Sequence, residues 1–239
     1  MKAGIFTTTI EKIVNLGVQE TRHFKLVFEL GTFFEFDAGQ FVNLLLPETP
    51  ERKAIKRAYS IASTPIWKGY LDLCIKLVPN GAGTPWIWTL KEGDKLTVQG
   101  PLGRFTAPKP LPKRLVYIST GTGIAPFRSI IHTLLDQKAD VEIWNIFGNR
   151  FAEDLYYKEE FEELAKKNFN LKNIFTVSRP NENWKGEKEY VQFMLKKHIA
   201  GPADTLIYIC GLTDMINEVV KTATEMGFEK NQIHFEKYD

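Results

Sequence analysis

Two domains, an antiparallel β-barrel followed by an α/β domain built on a parallel sheet, are what three features of this 239-residue sequence predict. Apolar residues alternate with period two up to about residue 105, Pro108-Lys109-Pro110-Leu111-Pro112 then interrupts regular structure, and a strand-to-helix alternation follows. Length agrees, since single cores of about 100 to 150 residues are usual and longer chains divide. The expected domains are residues 1–108 and 113–239.

In the first domain Phe24, Leu26, Phe28 and Leu30 alternate with Lys25, Val27 and Glu29, and Leu71, Leu73 and Ile75 alternate with Asp72, Cys74 and Lys76. Successive side chains of a strand point to opposite faces, so this pattern marks half-buried strands, and roughly six of them with turn punctuation predict a small barrel. Three prolines within residues 108–112 remove donors and hold the backbone extended, which places the boundary there. Beyond it, Leu115-Val116-Tyr117-Ile118 is a short apolar run, and Phe127, Ile130, Ile131, Leu134 and Leu135 then recur on one helix face. Val141 to Phe147 is strand-like, and Tyr157, Phe161, Leu164 and Ala165 form a second helical face. Asn173 to Val177, a helix around Val191 to Lys197, Leu206 to Ile209, and the face of Ile216, Val219, Val220 and Ala223 continue the series. Such alternation predicts parallel strands joined by crossover helices.

A net charge of +2 and a mean hydropathy of −0.22 give no sign of a nucleic-acid or membrane partner. The charge is uneven: residues 1–112 carry 14 Lys and Arg against 10 Asp and Glu, whereas residues 113–239 carry 17 against 19. The mildly basic first half suits an acidic partner. Cys74 and Cys210 lie far apart and outside any metal-ligand spacing, so neither zinc nor an iron-sulfur cluster is expected. The opening Met1 to Thr9 lacks the apolar segment of a signal peptide, and no apolar run approaches the roughly 18 residues of a spanning helix. Cytoplasmic localisation is the expectation.

Chemistry concentrates in two places. Arg57-Ala58-Tyr59-Ser60, on an extended segment, offers a guanidinium for phosphate, an aromatic surface for stacking and a small hydroxyl for hydrogen bonding. A flavin nucleotide needs all three. Gly121-Thr122-Gly123-Ile124-Ala125-Pro126 follows the first strand of the second half and opens its first helix. Ligands of open parallel sheets gather at the carboxyl ends of the strands, where glycines let a pyrophosphate approach backbone amides. Alone, each motif has an ordinary reading as surface charge, barrel packing or loop glycine. His23, His132 and His198 lack a paired carboxylate or metal-ligand spacing in the sequence, and Ser119 and Ser129 lack a nucleophile context.

The order of these motifs resembles the ferredoxin-NADP+ reductase superfamily, closest to its plant-type members, from about Glu11 to the C-terminus. The resemblance implies FAD held by Arg57 on the pyrophosphate, Tyr59 stacked on the isoalloxazine and Ser60 near flavin N5. It further implies a phosphate-binding turn at Gly81-x-x-Thr84, with Lys76 lying toward the pyridine nucleotide. NADP(H) would then meet Gly121, Thr122 and Gly123, with Arg150 assisting. Ser178, Arg179, Lys188 and Tyr190 match the family's 2′-phosphate pocket, and the physics agrees, because a doubly charged phosphate wants cations and a hydroxyl. Pro180 and Trp184 depart from the usual plant sequence within that stretch. Cys210-Gly211 resembles the nicotinamide-side motif, and His234-Phe235-Glu236-Lys237-Tyr238 the plant-type ending, in which a glutamate lies near the reaction centre and an aromatic covers the flavin. Here Asp239 follows, so Tyr238 is penultimate.

The implied activity is hydride transfer between NADP(H) and FAD, with single electrons exchanged with a separate ferredoxin or flavodoxin, and with Ser60, Cys210, Glu236 and Tyr238 at the reaction centre. Alternatives are a reductase component of an oxygenase system, a general flavin reductase, or a flavin-binding electron-transfer or regulatory subunit without nucleotide turnover.

Overall fold

The computed structural model describes residues 3–48 and 53–238. By its contacts the chain divides into two units, one running to Thr106 and including Ala125–Thr133, the other comprising Ala107–Ile124 and the chain from Leu134 onward.

The first unit is built from β1 (Gly4–Leu16), β2 (Thr21–Phe28), β3 (Phe41–Leu46), β4 (Ile55–Ser60), β5 (Tyr70–Lys76), a short helix α1 (Thr84–Thr89) and β6 (Lys95–Leu102). Its sheet runs β4-β3-β6-β1-β2-β5 with antiparallel pairing throughout. A bridge from Ile61 to Leu73, just beyond β4 and within β5, brings the two edges together as a barrel. The period-two pattern explains the interior. Val42, Leu44 and Leu46 of β3 are buried and their neighbours are half-buried, and Phe24, Leu26, Leu71, Leu73 and Val98 complete the core. The alternation read through Leu30 overshoots the strand. β2 stops at Phe28, a turn closes through Thr32 N–H to Glu29 O, and Leu30 is fully exposed.

β5 departs from simple alternation, because Asp72 and Cys74 are buried along with Leu71, Leu73 and Ile75. The cause is Ala125–Thr133, the part of the next helix that packs with this unit. Arg128, itself buried, donates to Asp72 Oδ2 at 3.2 Å and to Ala62 O at 3.0 Å. His23 Nε2 lies 3.4 Å from Asp72 Oδ1, so this histidine has the carboxylate neighbour that its sequence context does not show. Ser129 Oγ donates to Ser63 O at 2.6 Å, and Ser63 Oγ accepts from Asp72 N–H at 3.0 Å.

The first strand of the second unit is β7 (Arg114–Thr120); α2 (Ile124–Asp136) follows, its residues Ala125–Thr133 belonging to the first unit, and then β8 (Glu142–Asn149), α3 (Lys158–Lys167), β9 (Leu171–Val177), α4 (Val191–His198), β10 (Thr205–Gly211), α5 (Thr213–Glu225) and β11 (Ile233–Lys237). All pairs are parallel in the order β11-β10-β7-β8-β9. Leu115 to Ser119 of the central β7 are wholly buried, as expected of a parallel strand covered on both faces. Val191, Met194 and Leu195 of α4 and Ile216, Val219 and Ala223 of α5 pack with Val116, Ile118, Ile207 and Ile209 into one core. The chain moves outward from β7 to β9 and then returns to β10 on the other side. The switch point therefore lies between β7 and β10. Among the described residues no helix is long and apolar enough to cross a membrane.

Arg128→Ala should lower the unfolding free energy by about 3 to 5 kcal/mol, because it leaves Asp72 buried without its guanidinium. Denaturant unfolding checks this, and a loss below about 1 kcal/mol would show that Asp72 is adequately solvated without the arginine.

Candidate functional site: a flavin segment and a nucleotide switch point

In the first unit, β4 is paired so that Leu44 faces Arg57, Val42 faces Tyr59 and Phe41 faces Ser60. Alternation puts Arg57 and Tyr59 on one face of the strand. Arg57 is exposed, and its Nη1 donates to Lys56 O at 2.9 Å. The Gly81–Thr84 turn runs against the arginine's stem, and a Cβ on Gly83 would sit 3.0 Å from Arg57 Cγ. Guanidinium and turn backbone thus converge. Tyr59 is half-buried, and burial pushes its phenol up to about 12 against the opposing pull of Arg57. It is a neutral aromatic surface at working pH. Ser60, 5% exposed, ends the strand.

Thr84 shapes the turn that carries it. Its Oγ1 accepts from Val78 N–H at 2.9 Å and donates to Val78 O at 3.1 Å, so the hydroxyl proton is spent on shaping the turn. Gly81 N–H also closes onto Val78 O, at 2.8 Å. Lys76, at the exposed end of β5, donates from Nζ to Gln19 Oε1 at 2.8 Å.

In the second unit, Gly121–Gly123 forms a single 3-10 turn between β7 and α2 at the switch point. Gly123 passes so close to β10 that a Cβ there would overlap the Cys210 carbonyl. Gly121 takes a φ of +56°, and its N–H donates to Asn149 Oδ1 at 3.2 Å. Asn149 Nδ2 donates in turn to Asp154 O at 2.6 Å. The sequence alone assigns Asn149 no role; an amide ending a predicted strand beside a glycine-rich turn is the signal that marks it. Thr122 lies within the turn, half-buried.

Beside this turn the structure gathers Cys210, Glu236 and Tyr238. Parallel pairing sets Cys210 opposite Glu236, and Tyr238 N–H donates to Gly211 O at 2.9 Å. Burial, reinforced by the Glu236 charge, pushes the Cys210 thiol well up, while a hydrogen bond with Tyr238 acts the other way. The sulfur is therefore a neutral thiol, not a nucleophilic thiolate. Burial also raises the Glu236 carboxyl to about 7. Asp239, whose carboxylate the sequence sets beside Tyr238, lies outside the described residues.

The third group sits at the carboxyl ends of β8 and β9. Ser178 N–H donates to Asn149 O at 3.0 Å and Arg179 N–H to Arg150 O at 2.8 Å, which makes the two arginines neighbours. Val177 N–H donates to Glu187 O at 3.1 Å, and Thr176 bridges Glu187 in parallel register. Lys188 is thereby returned to the end of β9 where Ser178 and Arg179 begin. Arg150, Arg179, Lys188 and Tyr190 are all exposed. Donor chemistry at both places fits phosphate-bearing dinucleotides: a cation against a glycine turn in one unit, and a glycine turn at a switch point with three nearby cations in the other.

Because the Glu236 carboxyl is raised from 4.5 to about 7, the folded protein holds that proton more tightly than the unfolded chain across this window. Stability contributed by the group is present below about 4.5 and is lost as pH rises through about 7. Denaturant unfolding at steps across this range should show the loss in the native sequence and its absence in Glu236→Gln. Parallel pH trends in the two proteins would overturn the assignment.

Residues 9–107 match the oxidoreductase FAD-binding domain family and residues 117–221 the oxidoreductase NAD-binding domain family. A ferredoxin–NADP reductase B of Sorangium cellulosum is 38% identical over 217 residues, covering 87% of this chain and 88% of that protein. One subunit of the Na(+)-translocating NADH-quinone reductase of Neisseria meningitidis serogroup B is 34% identical over 198 residues, covering 75% of this chain. This chain spans about half the length of that relative, 48%. Among solved structures, the Amycolatopsis cytochrome P450 reductase GcoB superposes with a TM-score of 0.88 at 27% identity, over 98% of this chain and 70% of the other. A Neisseria gonorrhoeae ferredoxin NADP+ reductase with bound FAD and NADP shares the fold, with a TM-score of 0.85 at 22% identity and 98% of each chain covered. With an FAD-binding barrel, an NAD(P)-binding parallel sheet and these relatives, the chain belongs to the ferredoxin-NADP+ reductase superfamily of flavoprotein oxidoreductases.

Proposed function

We propose that this flavoprotein moves reducing equivalents between NADP(H) and a separate one-electron carrier protein, ferredoxin or flavodoxin, through FAD. The observation that carries the choice of NADP(H) is the convergence of Arg150, Arg179 and Lys188 at the ends of β8 and β9. A ribose 2′-phosphate there gains charge-assisted hydrogen bonds, with Ser178 adding a hydroxyl and the exposed Tyr190 a stacking surface for adenine. Bound FAD supplies the step that joins a two-electron donor to a one-electron acceptor. Everything else is positioning by this chain's own groups.

Arg57 and the backbone of the Gly81–Thr84 turn would hold the flavin pyrophosphate, Tyr59 would stack on the ring, and Ser60 would hydrogen-bond near its reactive nitrogen. The Gly121–Gly123 turn admits the nicotinamide dinucleotide close to backbone. Cys210 offers a neutral, polarisable thiol, and Glu236, with a carboxyl near 7, holds or releases a proton at its own oxygen near neutral pH. Tyr238 would cover the flavin face and yield it to nicotinamide. The net charge of +4 over residues 1–112 favours an acidic carrier. Cys74 and Cys210, both buried and outside any disulfide, suit the reducing cytoplasm in which such a carrier works.

A second reading, an NADH-driven reductase delivering electrons to an oxygenase, quinone or haem partner, is favoured by the several relatives named as NADH enzymes. Steady-state oxidation of NADPH and NADH, with ferricyanide and then with ferredoxin and flavodoxin, separates the two. NADPH preference with carrier reduction supports the proposal; NADH preference transfers support to the second reading. Within the proposal, Arg179→Ala combined with Lys188→Ala should weaken NADPH by about 3 to 6 kcal/mol and leave NADH nearly unchanged. Equal losses would overturn the pocket. Tyr238→Ser should raise nicotinamide occupancy on the flavin and relax discrimination against NADH, and an unchanged difference spectrum would remove Tyr238 from that role.

A further inference from the structure

Between Arg179 and Lys188 the chain leaves the sheet and returns, and a single aromatic side chain closes the excursion. Trp184 Nε1 donates to Glu187 O at 2.8 Å, the same carbonyl that accepts from Val177 N–H of β9. The indole lies on Gly186: a Cβ there would fall 2.5 Å from Trp184 Cζ2 and 2.8 Å from Cε2. Upstream, Trp184 N–H donates to Asn181 O at 3.2 Å, and Asn183 N–H donates to Asn181 Oδ1 at 3.1 Å. Asn181 Nδ2 donates to Glu153 Oε1 at 3.1 Å, which ties the loop to the segment after β8. Downstream, Thr176 Oγ1 donates to Glu189 O. The result is a strap, 186–189, pinned to β9 on one side and to the indole on the other, with Lys188 between the pins.

We infer that Trp184 is a positioning residue for nucleotide choice: by holding the strap it fixes Lys188 against Ser178 and Arg179, and so sets the preference for a 2′-phosphorylated nucleotide. This rests on the 2′-phosphate reading above. Arg179 and Lys188 are exposed and long, so a phosphate contact with both costs side-chain and loop freedom unless the backbone carrying them is already in place. Loss of the indole leaves both cations in the chain and removes only their spacing. Gly186 belongs to the same device, since only the bare α-carbon admits the ring.

The test compares adenosine 2′,5′-bisphosphate with 5′-AMP by calorimetry on the flavin-loaded protein, for Trp184→Ala, Trp184→Phe, Gly186→Ala and the Arg179→Ala/Lys188→Ala pair. Trp184→Ala should weaken the bisphosphate about tenfold, the scale of one lost hydrogen bond with its packing, and leave 5′-AMP within about twofold. Trp184→Phe, which keeps a ring on Gly186 and loses the donor, should fall between. Gly186→Ala should follow Trp184→Ala. In turnover the change should fall on KM for NADPH, with kcat and KM for NADH little moved. If the Arg179/Lys188 pair loses the bisphosphate while Trp184→Ala does not, the positioning role is overturned and the pocket stands. Equal weakening of both ligands by Trp184→Ala would overturn it too, marking a merely structural tryptophan. A pair variant that keeps the bisphosphate would overturn the pocket and the inference with it.

Discussion

Backbone against backbone, Gly123 on the Cys210 carbonyl, is the contact on which the nucleotide-binding unit depends. No side chain fits between the turn after β7 and the end of β10, so the two strands at the switch point meet at main-chain distance. That contact sets where β10 ends. β10 in turn pairs with β11 residue for residue, and the pairing carries Glu236 opposite Cys210 and Tyr238 onto Gly211. Side chains from two distant stretches of sequence, Cys210 and Glu236 with Tyr238, are thus brought together beside a glycine that touches none of their reactive atoms. A methyl group at Gly123 would displace the strand end, and the cluster would move with it.

Burial and exposure divide the chemistry between two kinds of group. Cys210 is buried and Tyr59 and Glu236 are half-buried, and each has its ionised form disfavoured by the loss of solvation. In the proposed function, the surfaces these groups would offer to flavin and nicotinamide are therefore largely uncharged near neutral pH, with Glu236 poised to change. Phosphate recognition follows the opposite rule. Arg57, Arg150, Arg179 and Lys188 are exposed, so they avoid the desolvation cost of burial and, in the proposed function, would gain their interaction energy when a phosphate arrives. Ion pairing confined to structure is found elsewhere, as in Asp72 with Arg128.

The architecture was legible in the sequence because local periodicity reports which faces are buried. Val42, Leu44 and Leu46 on one side of β3, and the helix face of Phe127, Ile130 and Ile131, lie inside as their spacing demands. Periodicity fails where a second layer covers the other face. Asp72 and Cys74 read as outward-facing, yet Ala125–Thr133 buries them, and the Arg128 that neutralises Asp72 lies 56 residues away. Motif order named the flavin and nucleotide segments but did not show how each hydroxyl or amide is used. Thr84 serves its own turn, and Asn149 anchors Gly121 through a side chain with no local pattern to announce it. Trp184 stood out in the sequence only as a departure from the plant-type pattern. Its place against Gly186 became visible when the loop closed in space.

Specificity is a difference between two affinities, and the proposed 2′-phosphate pocket would raise one without penalising the other. An NADH-selective site sets a carboxylate on the ribose hydroxyls, which repels a 2′-phosphate outright. Exposed cations do nothing comparable to NADH, because they stay hydrated when the phosphate is missing. Discrimination must then come wholly from contacts made to the phosphate, and these depend on how well the cations are placed beforehand. A free loop between Arg179 and Lys188 would spend much of that gain on ordering itself. Tied at Glu187 and Glu189 and covered by Trp184, the strap meets that cost during folding. Small changes in the strap, with every cation retained, would therefore move a protein of this fold between NADPH and NADH. Relatives named for either nucleotide do share one scaffold.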